Sequence, residues 1–348
     1  METQERVWLW DNAKALLIFC VVVGHVFVAS SGGDQFERGI ELIIYSFHMP
    51  LFILIAGYFG KRVVTSKSFP TQKIIGFLSV YLAMKVLLYL FEGILRGSFT
   101  GINLSLFETS DAPWYVLAMA IWITGAWLIF YVNPNINKGK LLLFAIVAGV
   151  LIGFDDDTGD YLALLRTVNF FPFFIAGICL KPAWVERLRT PKIRLLACVV
   201  VLLAALLIIW KILYFSDLWQ FFTGRHRYEN IATVPDWSAP LYRLGHYLFA
   251  GVIGASVIAI MPNRRLPIVT VLGQRTMQVY FYQTIITQVL EFFAIPSLLV
   301  AKFLWPGVLL VCGAAVILLS WKPIGLPVTW LLRGRFQSPK SKRKEVLI

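Results

Sequence analysis

Charge is what this sequence has least of. Only 15% of its 348 residues are Asp, Glu, Lys or Arg, against about 25% in soluble proteins. Histidine and cysteine are rarer still, with four of each. Cys20, Cys179, Cys198 and Cys312 sit inside apolar runs without metal-ligand spacing. They read as small buried hydrophobes, which excludes a disulfide-stapled secreted scaffold. Acidic residues number 19 against 32 Lys and Arg, for a net charge of +13. The basic residues are scattered through short loops and a C-terminal tail, with no aromatic-interleaved platform, so nucleic acid is excluded as a partner. What remains is apolar: 58% hydrophobic residues and a mean hydropathy of +0.73. A soluble fold of this length could not hide that much apolar surface without large exposed patches. A disordered chain and a cytosolic enzyme are excluded with it. The sequence describes an all-α, polytopic membrane protein.

A bilayer core of about 30 Å needs roughly 20 apolar residues as a helix. Ten candidates follow: 8–29, 40–60, 74–95, 114–132, 141–154, 162–180, 195–213, 241–261, 276–295 and 298–320. The first is too long for a signal-peptide core and ends without a cleavage motif, so it reads as a retained span. The fifth is only 14 residues long, and charge placement tests it. With both termini cytoplasmic, 21 Lys and Arg fall inside, including five in 181–194 and seven from Lys322 to Lys344. Six fall outside: Arg38, Arg96, Arg225, Arg227, Arg243 and Lys302. Dropping the fifth span would strand the basic 181–194 loop on the wrong side. The Asp155-Asp156-Asp157 run and the 214–240 loop then face the exterior. The organisation expected is one membrane domain over 1–330 and a basic cytoplasmic tail over 331–348. Lys340–Lys344 would hold the tail to anionic lipid. No internal repeat is evident.

Ionisable groups within spans are costly, so each is a candidate for function. At 100° per residue, Lys14 and His25 lie within about 20° of one another on the first span, and Asp11 about 40° from His25. One face therefore carries all three, with Lys14 and His25 roughly 16 Å apart along it. Lys14 by itself would also suit snorkelling to the inner interface. His48, followed by a helix-bending Pro50, sits at similar depth in the second span. Imidazole is the side chain best suited to moving a proton near neutral pH. Two histidines could also hold a metal, but no acid or thiol ligand accompanies them, so no metal is expected. Arg166 opens the sixth span, and Trp114 opens the fourth, where an aromatic belt is the plain alternative. On the ninth, Gln283, Thr284, Thr287, Gln288 and Glu291 form one polar stripe suited to a hydrated cavity. Arg275, at its cytoplasmic mouth, would suit a phosphate-bearing ligand or simply follow the positive-inside rule. Trp219 and Trp237 lie in the 214–240 loop, where they would pack it. Proton-coupled transport or flipping of a lipid-linked glycan would use such residues as well as an enzyme would, although many transporters show a repeat.

Several of these segments resemble one family. Asp11-x-x-Lys14 with Gly24-His25 is similar to the basic-x10-His signature of the membrane acyltransferase 3 family. Phe47-His48-Met49-Pro50-Leu51-Phe52, running on to Gly57-Tyr58, resembles its FHMPLFFFxSGY motif. Ala112-Pro113-Trp114-Tyr115-Val116-Leu117 and Arg166-x-x-x-Phe170-Phe171-Pro172-Phe173-Phe174 are also similar. The nearest branch is the fucose 4-O-acetylase-like proteins. Two positions depart: Lys14 stands where many relatives have Arg, and Gln283 where a VYLLH segment has His. The resemblance implies a stand-alone O-acyltransferase of a bacterial plasma membrane, without a hydrolase-like extension. It would hold no bound cofactor and use cytoplasmic acetyl-CoA as co-substrate, with a carbohydrate hydroxyl as acceptor. His25 would be the general base or a transient acyl carrier. Lys14 would meet the donor's phosphates, oriented by Asp11, and His48 and Arg166 would hold the acceptor or steady the oxyanion.

Overall fold

Helix propensity counts for little in a bilayer, where every backbone polar group must be satisfied internally. The computed structural model describes residues 7–29, 35–109, 112–155, 157–231, 234–235 and 237–334. Asp156 and the tail segment Lys340–Lys344 therefore lie outside the described residues. No strand occurs among the described residues, only an isolated bridge between Glu108 and Tyr161. The first half of the chain forms α1 (Trp8–Ala29), α2 (Gln35–Val64), α3 (Thr71–Arg96), α4 (Trp114–Val132) and α5 (Lys138–Leu151). Then come α6 (Leu164–Cys179), α7 (Pro182–Leu188), α8 (Pro191–Trp210), α9 (Ile212–Asp217) and α10 (Trp219–Thr223). The last five are α11 (Ala239–Ile260), α12 (Pro267–Gln274), α13 (Thr276–Phe292), α14 (Ile295–Leu319) and α15 (Leu326–Leu332).

Six of these are long and apolar enough to cross a membrane, and up to eight crossings result if each of two bent pairs counts as one span. Those pairs are α6 with α7, bent by 96°, and the later part of α14 with α15, bent by 68°. Each of the ten expected spans coincides with a helix. The short fifth is α5, extended by a 3-10 turn over Ile152–Phe154. Helix ends follow local chemistry. Pro182, Pro191 and Pro267 open α7, α8 and α12, where a missing N–H costs nothing. The Asn137 side chain caps α5 by accepting from the N–H groups of Gly139 and Lys140.

Contacts between connecting segments sort the described chain into two ends, here labelled inner and outer after the charge count. At the outer end Thr109 donates to the Asp160 carbonyl (2.9 Å), Arg225 pairs with Asp160 (2.7 Å), and Tyr228 donates to the Gly153 carbonyl (2.8 Å). At the inner end Trp127 donates to the Ser66 carbonyl (3.0 Å), and Leu9 to the Asn263 side chain (3.0 Å). The loops before α4 and after α5 thus meet at one end, so α5 returns the chain to the end that α4 left. The 214–240 segment is not a plain loop, since α9 and α10 lie within or across its start.

α1 occupies the centre, packed against α2, α12, α13 and α14. Small residues let backbones close up. A methyl on Gly57 would run into the Phe174 carbonyl, and one on Gly177 into that of Leu54, so α2 and α6 cross at a paired glycine contact. Among the cysteines, Cys20 and Cys312 are buried as expected, but Cys198 lies exposed on the outward face of α8. Apolar surroundings there would be lipid rather than protein.

Candidate active site

The face of α1 bearing Asp11, Lys14 and His25 lines two cavities, one toward each end. The inner one measures about 150 Å³ and is walled by Lys14, Phe52, Phe59, Phe77, Met119 and Thr276, among others. The Lys14 ammonium lies 3.0 Å from an Asp11 carboxylate oxygen, whose second oxygen accepts from the Gln274 amide at 3.2 Å. Asp11 is buried and Lys14 only partly so. The carboxylate therefore fixes the ammonium where it faces the cavity. The Phe59 ring centroid is 5.8 Å from that ammonium, within cation–π range.

The outer cavity is larger, about 710 Å³, and holds His25, His48, Trp114, Arg166, Gln288 and Glu291. His48 is buried, with Nδ1 2.7 Å from the Ile44 carbonyl. A carbonyl can only accept, so Nδ1 carries the proton and the Nε2 lone pair is left as the basic site. The Tyr45 ring holds the imidazole edge-on at 4.9 Å. Across the cavity, Trp114 stacks on Phe170 at 5.6 Å, and the Arg166 guanidinium lies 5.3 Å from the Trp114 ring centroid. Trp114 is thus a cavity wall tied to Arg166, not a belt residue.

From α13, Thr284, Thr287, Gln288 and Glu291 all face this cavity, so the polar stripe lines a chamber as expected. Gln283 does not. It is buried behind the wall, its amide donating to the Thr284 hydroxyl at 3.1 Å and accepting from Thr287 at 3.4 Å. Arg275 lines neither cavity; its guanidinium donates to the Ser320 carbonyl at 2.7 Å and ties the start of α13 to the end of α14. Trp237 is 80% exposed and outside the site, whereas Trp219 lines the outer cavity, between Tyr45 (4.3 Å) and Arg38 (4.8 Å).

Sequence reasoning passed over Tyr45, Glu92, Arg96, Arg225, His226 and Tyr280 as site residues, all of which line the outer cavity. Tyr45 had a signal, lying three residues before His48 on one helical face. Glu92 and Arg96, an ion pair at i, i+4 on the outer end of α3, had another. His226 sits in the loop after α10. Burial, followed by the charges of Arg225, Arg166 and Arg243, holds its imidazole below the usual histidine range, with Asp160 opposing.

The helical bundle thus carries a histidine-lined chamber toward one end and a lysine-bearing one toward the other. The chain belongs to the acyltransferase 3 family, whose acyltransferase-domain model matches residues 8–323. The acyltransferase-domain match thus spans nearly the whole chain, on helices long and apolar enough to cross a membrane. The nodulation protein NolL of Mesorhizobium japonicum is 39% identical over 70 residues, 19% of each chain. The chain thus matches about a fifth of that relative's length. No solved structure matches it.

Proposed function

We propose that the enzyme moves an acetyl group from acetyl-CoA, entering at the inner cavity, to a sugar hydroxyl held in the outer one. The observation that supports this most is that both cavities open onto one face of α1, with Lys14 in the inner and His25 in the outer. Acyl transfer across a bilayer needs a donor site and an acceptor site joined through the protein. Lys14, steadied by Asp11, meets the donor's phosphates or diphosphate. The acceptor hydroxyl gives its proton to a histidine, His25 by this assignment, with His48 lining the same cavity. The oxygen attacks the thioester carbon, the C–S bond breaks, the ester C–O bond forms, and the proton ends on the CoA thiol. Arg166 faces the developing oxyanion or the acceptor. Trp114 and Trp219 offer faces for sugar stacking. The acceptor is a cell-envelope or secreted glycan of a bacterial plasma membrane, with the fucose 4-O-acetylase-like branch as first choice.

The test is reconstitution in proteoliposomes, with acetyl-CoA outside the inner face and a panel of oligosaccharides, one fucosylated, on the other. Release of free thiol and an acceptor heavier by one acetyl group are expected. Acceptor movement without thiol release would instead make the protein a transporter.

A further inference from the structure

The two cavities share three lining residues: Val21, Met49 and Tyr280. Each lies on a helix face that runs unbroken from one chamber into the other. On α1 the face is Lys14, Val21, His25; on α2 it is Phe59, Phe52, Met49, Tyr45; on α13 it is Thr276, Tyr280, Thr284. Steps of three, four and seven residues keep to one side of a helix. A group passing from the Lys14 chamber to the His25 chamber passes these three side chains.

They are unequal in freedom. Val21 is β-branched and buried, which leaves it stiff. Tyr280 is pinned twice: its hydroxyl donates to the Ala112 carbonyl, and its ring meets Tyr115 edge-on at 5.6 Å. Met49 is partly buried, unbranched and adaptable. It follows directly after His48, whose Nδ1 lies 2.7 Å from the Ile44 carbonyl. Of the three, Met49 has the side chain best able to change rotamer.

The chambers on either side differ in what they offer a hydrocarbon chain. The inner one is apolar but small, about 150 Å³. The outer one is roomy but polar: His48 directly precedes Met49, Thr284 is one turn beyond Tyr280, and Arg166, Gln288 and Glu291 line the same chamber. A chain of several methylenes has no room to fold back and meets polar groups if it goes forward.

On the acyl-transfer reading above, we infer that Met49, closing against Val21 and Tyr280, sets the upper limit on acyl length. The bonds made and broken stay those of the thioester-to-ester exchange. One methylene in a fitted pocket is worth roughly 10- to 200-fold in kcat/KM, so a single truncation should be readable.

The experiment measures thiol release by the reconstituted full-length protein with acetyl-, butyryl- and octanoyl-CoA. Met49→Ala should raise the butyryl-to-acetyl ratio of kcat/KM by about tenfold or more. Val21→Ala should shift it the same way, which keeps the test open should one variant fail to fold. Met49→Trp should slow transfer of every donor while eluting like wild type on size exclusion. A wild-type enzyme that transfers acetyl, with ratios in Met49→Ala and Val21→Ala within twofold of wild type, would overturn the length filter and leave acyl transfer standing. Octanoyl transferred by wild type as fast as acetyl would overturn it equally. No thiol release from wild type with any donor would remove the acyl-CoA reading, and the filter with it.

Discussion

α1 and α8 are both apolar helices of about one bilayer thickness, yet the protein uses them in opposite ways. In the most apolar stretch of α1, 72% of residues are buried inside the protein, against 11% in α8. α1 carries Asp11, Asn12, Lys14 and His25; beyond its basic first turn, α8 carries no ionisable group but Cys198, and buries only Ala197 and Ile208. Lipid cannot satisfy a polar group, so such groups accumulate where other helices can. Burial, more than hydropathy, distinguishes a working helix from a wall.

The sharpest way to break this contrast is on activity. His25→Ala should lower acyl transfer by about 10²-fold or more, the usual worth of a general base, with near-normal membrane insertion. Leu202→Ala on the lipid face of α8 should leave it near wild type. Retention of more than a tenth of wild-type activity by His25→Ala, in the thiol-release assay, would remove this histidine from the chemistry. Insertion reads the contrast from the other side. Leu202→Lys, at an exposed mid-helix position, should cost about 2.5–3.5 kcal/mol on the insertion scale and cut membrane yield, although α1 tolerates Lys14. Equal yields in a membrane-fraction blot would show that α8 does not face lipid.

A smaller effect is expected at Lys14. Lys14→Ala should raise the apparent KM for acyl-CoA by roughly tenfold, as loss of a charged hydrogen bond does, with little change in acceptor KM. Lys14→Arg should stay close to wild type, since either cation holds phosphate. A change confined to the acceptor KM would move Lys14 out of the donor site.

The smallest effect is a pH dependence at His226. Its folded pKa lies below the ordinary value of 6.5, so the unfolded chain binds more protons between the two. Stability is thus unaffected above 6.5 and falls as pH drops below it. Thermal unfolding in detergent between pH 7.5 and 5 should show a steeper acid loss for wild type than for His226→Gln. Parallel curves would mean that burial and the neighbouring arginines do not hold the ring neutral.

The all-helical membrane character was legible because hydropathy acts over whole segments. His25 and Lys14 were legible because a 100° period places them on one face, and the α13 stripe for the same reason. Arg275 and Gln283 were misplaced because a sequence shows that a side chain is polar, not which carbonyl or hydroxyl it will meet. Ser320 and Thr284 absorb them. The partition of Val21, Met49 and Tyr280 was invisible for another reason. Apolar residues in apolar spans look alike until the two chambers they separate can be seen.

The partners of Asn12 carry a consequence for how the protein is made. Its amide nitrogen donates to the Pro262 and Arg264 carbonyls, at 2.9 and 3.0 Å, and its oxygen accepts from the Thr270 hydroxyl at 2.8 Å. Every one of these groups emerges some 250 residues later in translation. At about 5–20 residues per second, that is a wait of roughly 10–50 s. A helix made long before these partners is therefore among the last to be completed. During that interval its most polar turn must be sheltered by something other than its final neighbours.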